Sequence, residues 1–368
     1  MTFIKPKFDK TSQTEFFSTL RVKVHEYFKE NEISVYGNWE MVTKTIVVFA
    51  MYFVPFILML TGVITNLWII FAMWILMGIG QAGIGMNVMH DANHNAYSKK
   101  KFWNRLLGWS VNLIGANDAM WKIQHNVLHH TYTNIEGADD DIKTPGVLRM
   151  SPHQKKYWIH RFQHLYFWIF YGVSTLFWVL TKDYFQVAKY RKRNLISTKK
   201  RFNKELTKMI LWKVLYFAYA FMLPALILPI SFPFFLLCWV MMHFTTGLLL
   251  TLVFQTAHVM PSSDFLIPDE KGKINRDWAT HQLNTTSNFA PRSRVFSWFI
   301  GGLNYQIEHH LFTNICHVHY RKISKIVAKT AEQYGITYNS EKYWISALWK
   351  HIKLLKKLGR MDMVPAVV

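Results

Sequence analysis

Two long stretches without a charged residue constrain the fold of this chain more than any other feature of its sequence. No Lys, Arg, Asp or Glu occurs from Thr45 to Met89, and none occurs from Val214 to Ser263. The rest of the chain carries about 24% charged residues, which is an ordinary density for a soluble protein. A membrane pass needs about 20 mostly apolar residues, so each stretch is long enough for two passes and a short turn. The sequence therefore predicts two membrane hairpins.

The apolar runs place four passes at roughly 45–64, 67–89, 209–230 and 234–257. The predicted segments are accordingly an N-terminal segment 1–44, a first hairpin 45–89, a central segment 90–208, a second hairpin 209–257 and a C-terminal segment 258–368. Glycines in the second pass, Gly78, Gly80, Gly83 and Gly85, would allow close helix approach. The predicted fold class is an all-α membrane protein with four transmembrane helices in two hairpins and a helical cap.

Two shorter apolar runs complicate the count of passes. Leu106–Asn117 and Leu165–Leu180 are both short for a crossing, so we expect them to lie at the interface or to re-enter the membrane. With four passes, neither hairpin turn contains a charged residue, and every Lys and Arg lies on the side that holds both termini. The positive-inside rule places that side, and the cap, in the cytoplasm.

The excess of basic residues, 43 against 22 acidic, fits this topology. The basic run Lys189–Lys204 directly precedes the third pass, which is typical of a topology anchor that contacts anionic lipid. A docking patch for a phosphate-bearing substrate or an acidic partner is the alternative. No nucleic-acid recognition motif accompanies the charge, and the two separate cysteines, Cys238 and Cys316, exclude a disulfide scaffold or a Cys-ligated metal module.

Histidines concentrate at four places that this topology brings to one membrane face. They are His90-Asp-Ala-Asn-His94, His125-Asn-Val-Leu-His129-His130, His258, and Gln306-Ile-Glu-His309-His310. On an α-helix, residues four apart share a face, so His90 and His94 form one pair and His125 and His129 another. His130 would lie about 100° further round and serve a neighbouring ion. Ions that favour imidazole take about four to six ligands, so eight histidines suit two ions.

The strings HDANH, HNVLHH and QIEHH resemble the three histidine boxes of the integral-membrane fatty acid desaturases. The resemblance covers roughly 40–325, and it includes Trp278-Ala-Thr-His-Gln-Leu and Asn304-Tyr-Gln-Ile-Glu-His-His-Leu-Phe. The third box opens with Gln306, and in this it resembles the third box of the front-end subgroup of desaturases. Members of that subgroup insert a double bond between an existing one and the carboxyl end.

This resemblance implies two iron ions, with O2 as co-substrate. The positions that match the family's ligands are His90, His94, His125, His129, His130, His258, His309 and His310. Gln306 stands where many relatives have His, so it would ligate weakly, ligate through water or leave a position open. We expect Asn304, His281 and Gln255 to support the ligands rather than to bind metal. Asp139-Asp140-Asp141, with Glu136, would orient imidazoles or form a solvated loop.

No electron-carrying motif is present, so two electrons per turnover must come from a separate donor, either ferredoxin or cytochrome b5. The acyl substrate would be carried on CoA, on a carrier protein or in a lipid. The nearest alternative function is a di-iron membrane hydroxylase. A metal-ion transporter is a remote alternative, because it needs coordinating residues near the midplane and His243 is the one His inside the passes.

Overall fold

The computed structural model describes residues 5–9, 15–144 and 146–364, and these are mostly helical. In chain order the α-helices are α1 (Phe16–Glu30), α2 (Trp39–Leu60), α3 (Leu67–Gly83), α4 (His90–Asn93), α5 (Lys101–Gly108), α6 (Ser110–Leu113), α7 (Asp118–Lys122), α8 (His130–Tyr132), α9 (Gln163–Phe177), α10 (Asp183–Lys192), α11 (Lys199–Phe217), α12 (Leu223–Ile227), α13 (Phe232–His258), α14 (Trp278–Thr285), α15 (Arg294–Phe299), α16 (Gln306–Leu311), α17 (Tyr320–Gln333) and α18 (Trp344–Leu358).

Several of these helices are joined without a break by turns of other helical types. Wider π-helical turns occupy Ile84–Met89, Ile123–His129, Trp178–Lys182 and Ala218–Met222, and tighter 3-10 turns occupy Trp158–Phe162 and His317–His319. The strands are two residues long: β1 (Lys7–Phe8) pairs in parallel with β2 (Lys273–Ile274), and β3 (Asn288–Phe289) pairs in parallel with β4 (Ser340–Glu341). They fasten distant chain segments rather than form a sheet core.

Five helical segments are long and apolar enough to cross a membrane. They are Trp39–Leu60, Leu67–Asn93, Trp158–Lys192, Lys199–Ile227 and Phe232–His258. Four of them overlap the four predicted passes. Leu67–Asn93 and Phe232–His258 contain 67–89 and 234–257, whereas Trp39–Leu60 and Lys199–Ile227 begin before 45 and 209 and end short of 64 and 230. In the first hairpin, the side chain of Asn66 caps α3 by accepting hydrogen bonds from the backbone N–H groups of Trp68 and Ile69 at 3.0 and 3.2 Å.

The fifth segment differs from the sequence-based expectation. The run Leu165–Leu180 is by itself short for a crossing, yet it lies inside a continuous helical segment of 35 residues, Trp158–Lys192. The helix continues through charged residues such as Lys182 and Asp183, which delimit an apolar run without ending a helix. The other short run, Leu106–Asn117, includes the short helix α6 and the end of α5, as a segment too short to cross requires.

The chain forms two compact units, which are described separately. The first unit comprises Met1–Asn38, Gln124–Phe167 and Leu252–Val368, and the second comprises Trp39–Ile123 and Trp168–Thr251. In the second unit, a Cβ atom on Gly80 would lie 2.7 Å from the backbone nitrogen of Tyr52, and one on Gly78 would lie 2.5 Å from the carbonyl oxygen of Met242. The predicted close helix approach at these two glycines is therefore confirmed.

A buried turn in the second unit has its polar backbone satisfied by side chains from other helices. The carbonyl oxygens of residues 113–115 accept, in chain order, hydrogen bonds from the Tyr219 hydroxyl, Gln81 Nε2 and Lys213 Nζ. Lys213 also pairs with the buried carboxylate of Asp183 at 2.8 Å. Because an unpaired carbonyl in an apolar interior costs several kcal/mol, these donors allow the chain to turn back inside the helical packing.

The first unit has a separate apolar core around α1, α16 and α17. Phe16, Leu20, Val24 and Phe28 recur every four residues on α1 and are buried on one face. They pack with the buried face of α17, which is formed by Ile323, Val327 and Ala331, and with Tyr305 and Ile307 at the start of α16. This core fixes the third histidine motif within the unit.

Candidate metal centre

The second histidine motif lies on a π-helical turn. The segment Ile123–His129 is π-helical and continues directly into α8, which begins at His130. A π-helix bonds residue i to i+5 and is therefore wider than an α-helix, so the face shared by i and i+4 also takes in i+5. The rings of His125 and His129 stack with centroids 5.5 Å apart, as their spacing predicts.

The same geometry corrects the expectation for His130. On an α-helix, His130 would lie about 100° further round than His129, away from the face that His125 and His129 share and toward a neighbouring ion. On the π-turn, Nε2 of His130 lies instead 3.1 Å from Nε2 of His125. The His130 ring is also close to His309 and His310, at centroid distances of 4.5 and 4.4 Å. His130 thus lies between the second and third motifs.

His129 is held by a carboxylate. Its Nδ1 lies 3.1 Å from Oδ2 of Asp139 and 3.7 Å from Oδ2 of Asp141. Burial favours the neutral ring, but the two carboxylates outweigh burial and raise the pKa of His129 above its ordinary value. The opposite nitrogen, Nε2, is buried and has no hydrogen-bond partner among the described residues. Such an arrangement fixes the tautomer and leaves Nε2 for a metal ion.

Asp139 is itself fixed in place. Its two carboxylate oxygens accept hydrogen bonds from the backbone N–H groups of Asn134 and Asp141, each at 2.9 Å. Burial would raise the pKa of Asp139, but His129 and these N–H groups lower it. Of the two interpretations of the acidic stretch, the structure favours orientation of an imidazole over a solvated loop for Asp139, which is 2% exposed.

The third motif forms the six-residue helix α16, and its two histidines have neutral partners. Nδ1 of His310 lies 2.8 Å from Oε1 of Gln282, and Nδ1 of His309 lies 3.2 Å from the hydroxyl of Tyr320. In both rings Nε2 is the nitrogen opposite this contact, on the side where a metal ion would bind. Gln282 is further fixed by the hydroxyl of Thr133, 2.9 Å from the same oxygen.

Glu308, between these histidines and Gln306, anchors α16 rather than facing the imidazoles. Its carboxylate accepts hydrogen bonds from Asn288 Nδ2 and the Tyr338 hydroxyl, both at 2.8 Å. Asn288 also accepts the backbone N–H of Ile307 at 3.0 Å. Burial raises the pKa of Glu308 to about 7, despite the two donors. The residue fixes the rotation of a helix too short to be stable alone.

Three histidines converge closely enough to hold one ion. The candidate ligand nitrogens of His129, His258 and His310 lie within 4.8 Å of one another, and all three side chains are buried. The His258 ring lies 4.6 Å from that of His129 and 4.9 Å from that of His310, between centroids. Gln306 is also buried and lies beside His258 as a hydrogen-bonding neighbour. The sequence-predicted ligands of this unit therefore do come together.

The three residues expected to support the ligands, His281, Gln255 and Asn304, are buried in the same unit, and they hydrogen-bond to backbone carbonyl oxygens. His281 Nε2 lies 2.8 Å from the carbonyl oxygen of Thr133, and burial lowers the pKa of His281 to about 4. Gln255 donates to the carbonyl oxygen of Asp141 at 3.4 Å, and Asn304 donates to that of Ala290 at 3.4 Å. Their contacts are to the backbone, so their role as supporting residues stays a prediction.

In the second unit, the first histidine motif follows the π-turn Ile84–Met89. His90 begins α4 and His94 follows its last residue as the C-cap, and the two rings lie 4.8 Å apart between centroids. The indole of Trp121 packs against both rings, at 5.9 and 5.8 Å. The prediction that His90 and His94 share a face is confirmed.

Sequence reasoning missed the residues that hold the third motif. Gln282 and Tyr320 lie 28 and 11 residues from the histidines that they contact, so no helical spacing connects them. Gln282 does stand in the string Trp278-Ala-Thr-His-Gln-Leu, which drew attention to its neighbour His281 instead. The donor set fits iron: buried imidazole nitrogens, several with the opposite nitrogen engaged by an oxygen.

Comparison with known proteins agrees with this donor set. The family model described as fatty acid desaturase matches residues 66–342. The chain is 35% identical over 357 residues to an sn-1 linoleoyl-lipid 6-desaturase of Synechocystis sp., covering 95% of this chain and 97% of that protein. It is 34% identical to the protein of the same name from Arthrospira platensis, covering 94% and 92%. An acyl-lipid (8-3)-desaturase of Physcomitrium patens is 35% identical, with 94% and 72% covered.

The chain therefore belongs to the fatty acid desaturase family. It is an oxidoreductase and, with its apolar helices, a multi-pass membrane protein.

Proposed function

We propose that this chain is an oxygen-dependent di-iron acyl-lipid desaturase of the front-end type. The observation that carries this proposal is the convergence of His129, His258 and His310, whose ligand nitrogens lie within 4.8 Å of one another. His125, His130 and His309 lie next to this group in the same unit, with ring centroids 5.5 Å from His129, 4.4 Å from His310 and 5.5 Å from His310, in that order. The names of the relatives support an acyl chain carried in a lipid, and the Gln306 that opens the third motif supports the front-end position.

The proposed ligand set comprises all eight histidines and serves two irons. His129, His258 and His310 would hold one ion. His125 and His309, whose rings stack at 5.8 Å, would contribute to the other. His90 and His94 complete the eight on the sequence resemblance. His130 lies near both groups of the first unit, and Gln306 beside His258 supplies a neutral oxygen, directly or through water.

The reaction needs a metal because an unactivated methylene has no acidic proton and no leaving group, and bound iron supplies the reactivity toward it. Two C–H bonds break and one C=C bond forms, while O2 is reduced to two waters. Two of the electrons come from the acyl chain and two, with two protons, come from outside. This chain's residues orient the imidazoles: Asp139 accepts from His129, and Gln282 accepts from His310.

The positions of His129 and His258 also support a topology with four crossings. Their rings are 4.6 Å apart, so the chain between them must cross the membrane an even number of times. Three candidate segments lie between them. Lys199–Ile227 and Phe232–His258 are the proposed crossings, because they contain the second uncharged stretch. Trp158–Lys192 would then lie at the interface, with both termini and the metal centre in the cytoplasm.

The first experiment measures metal and activity together. Purified protein should contain about two irons per chain, and His129→Ala should lose both iron and activity. His25→Ala removes an exposed histidine of α1 and serves as the matched control, with iron and activity retained. A single zinc per chain, or full activity in His129→Ala, would refute the di-iron assignment.

The second experiment determines the substrate and the position of the new double bond. The protein is supplied with ferredoxin or cytochrome b5 and with linoleate as glycerolipid or as the CoA ester. We expect a new cis double bond on the carboxyl side of the existing ones, and only from the lipid. A bond on the methyl side would refute the front-end assignment, a hydroxylated product would show the hydroxylase alternative, and turnover of the CoA ester alone would refute the lipid carrier.

A further inference from the structure

One face of α17 is strongly basic. Arg321, Lys322, Lys325 and Lys329 are all exposed, at spacings that place them along the outer side of the helix. The helix carries one acidic residue, Glu332 near its C-terminal end, so its four exposed basic side chains outnumber the acidic ones by three. We call these four residues the basic face. Like charges at this spacing repel one another, so the cluster is not explained by helix stability.

The composition of the basic face favours a protein partner over a lipid surface. Its exposed side chains are charged, and the apolar residues of α17 point inward, where Ile323, Val327 and Ala331 are buried. A helix that binds a lipid surface combines basic residues with exposed apolar ones. In the same unit, α18 has this combination, with Ile345 and Trp349 exposed at 77% and 57% beside its lysines. The basic face lacks such anchors, so its complement is a soluble acidic surface.

The first residue of α17 connects this surface to the metal centre. Tyr320 is 1% exposed, and its hydroxyl lies 3.2 Å from Nδ1 of His309, a proposed iron ligand. Arg321 follows it directly in the chain and is exposed. The path from the protein surface to a ligating imidazole is therefore one residue and one hydrogen bond long.

We propose that the basic face of α17 is the docking surface for an acidic one-electron carrier protein, and that Tyr320 conducts its electrons to His309. This inference rests on the proposed function and assigns the donor a place on the molecule. Each double bond requires two docking events, in each of which one carrier is oxidised by one electron. The two electrons, with two from the acyl chain and two protons, complete the reduction of O2 to two waters.

The test compares two charge-reversal variants of the full-length protein. The first carries R321E, K322E, K325E and K329E on the basic face. The matched control carries K353E, K356E, K357E and R360E on the exposed side of α18 and its C-terminal end, which is the same change in net charge within the same unit. The KM for ferredoxin and for cytochrome b5, the kcat at saturating donor and the iron content are measured for both variants and the wild type.

We expect the α17 variant to raise the KM for the active donor at least about tenfold, with iron content unchanged, and the α18 variant to change it less than about twofold. The wild-type KM should rise with ionic strength, and that of the α17 variant should not. An unchanged KM in the α17 variant, or an equal increase in both variants, would overturn the proposal.

A single-turnover measurement separates this proposal from the proposed function. Each protein is reduced chemically with dithionite, without a carrier protein, and then mixed with O2 and a linoleoyl lipid. Equal yields of desaturated lipid from the wild type and the α17 variant are expected, since docking is bypassed. No product from the wild type would refute the proposed function, while a low yield from the α17 variant alone would refute docking as the cause of its defect.

Discussion

The second and third histidine motifs hold their imidazoles by different chemistry, although both contribute to one cluster in the first unit. On the π-turn Ile123–His129, His129 faces the buried carboxylates of Asp139 and Asp141. On α16, His309 and His310 face a tyrosine hydroxyl and a glutamine oxygen. One motif therefore uses charged partners and the other uses neutral ones.

This difference predicts a division of roles. A carboxylate that accepts the Nδ1–H of an imidazole raises its basicity, so Asp139 should strengthen the metal–nitrogen bond as well as orient the ring. A neutral oxygen accepts the same hydrogen bond at about half the strength and mainly orients the ring. Removal of the partner should therefore reduce iron affinity most at His129, less at His310 and least at His309, where the bond is longest.

Asp139→Asn should have the largest effect. The amide keeps the size of the side chain but removes the charge that supports His129, so we expect iron affinity to fall about 10- to 100-fold, with a matching loss of activity. Iron content after dialysis against a graded chelator measures this. Asp140→Asn makes the same chemical change one residue away and should lose less than about threefold. Equal losses in the two variants would show that loop charge in general, rather than the Asp139–His129 contact, sets the affinity.

Gln282→Leu should have an intermediate effect. Leucine fills a similar volume without accepting from His310, so we expect about a tenfold loss of iron affinity with the fold retained. Gln282→Glu is the informative partner variant, because it converts the neutral acceptor into the kind found at His129. If the charge of the acceptor decides the affinity, this variant should bind iron at least as tightly as the wild type. A loss as large as that of Gln282→Leu would contradict the comparison.

The sequence predicted the parts of this design that follow from local pattern. The uncharged stretches predicted the helices of both hairpins, because a lipid-facing helix cannot carry charge along its length. The spacing of His90 and His94 predicted their shared face, and the strings around the histidines predicted the family. These features depend on residues that are neighbours in the chain.

The features that sequence did not predict depend on tertiary structure or on the type of helix. A π-turn has no pattern distinct from an α-helix, so the closeness of His130 to His125 does not follow from the sequence. Tyr320 and Gln282 reach their histidines across the fold. The apolar run Leu165–Leu180 does not reveal the 35-residue helical segment Trp158–Lys192 that contains it, because Asp183 in that segment pairs with Lys213, far away in the chain.

Tyr320→Phe should have a smaller effect on iron than Gln282→Leu. The substitution removes only the hydroxyl, which contacts His309 at 3.2 Å, so we expect iron affinity to fall about two- to threefold. Tyr334→Phe removes the hydroxyl that contacts Thr19 near the other end of α17 and should leave iron binding unchanged. A loss greater than that of Gln282→Leu would reverse the predicted order within the third motif.

The smallest effect on iron is expected at a histidine that contacts a backbone carbonyl oxygen and lies outside the ligand set. His351 on α18 is buried, its Nδ1 lies 2.8 Å from the carbonyl oxygen of Val259, and burial lowers its pKa to about 4. Because the unfolded chain binds this proton near pH 6.5, the folded state loses stability as the pH falls below that value. The loss should reach about 2 kcal/mol of the free energy of unfolding between pH 7.5 and 5.

His351→Asn keeps a donor for Val259 and removes the titration. Iron content at neutral pH should equal that of the wild type, because His351 supports the fold and not a ligand. The stability advantage of the wild type over the variant, measured by thermal unfolding in detergent, should shrink as the pH is lowered from 7.5 to 5. A stability difference independent of pH, together with loss of iron from the variant at pH 7.5, would show that His351 supports the metal centre as His129 does. The contrast between charged and neutral partners would then no longer explain how this unit uses its histidines.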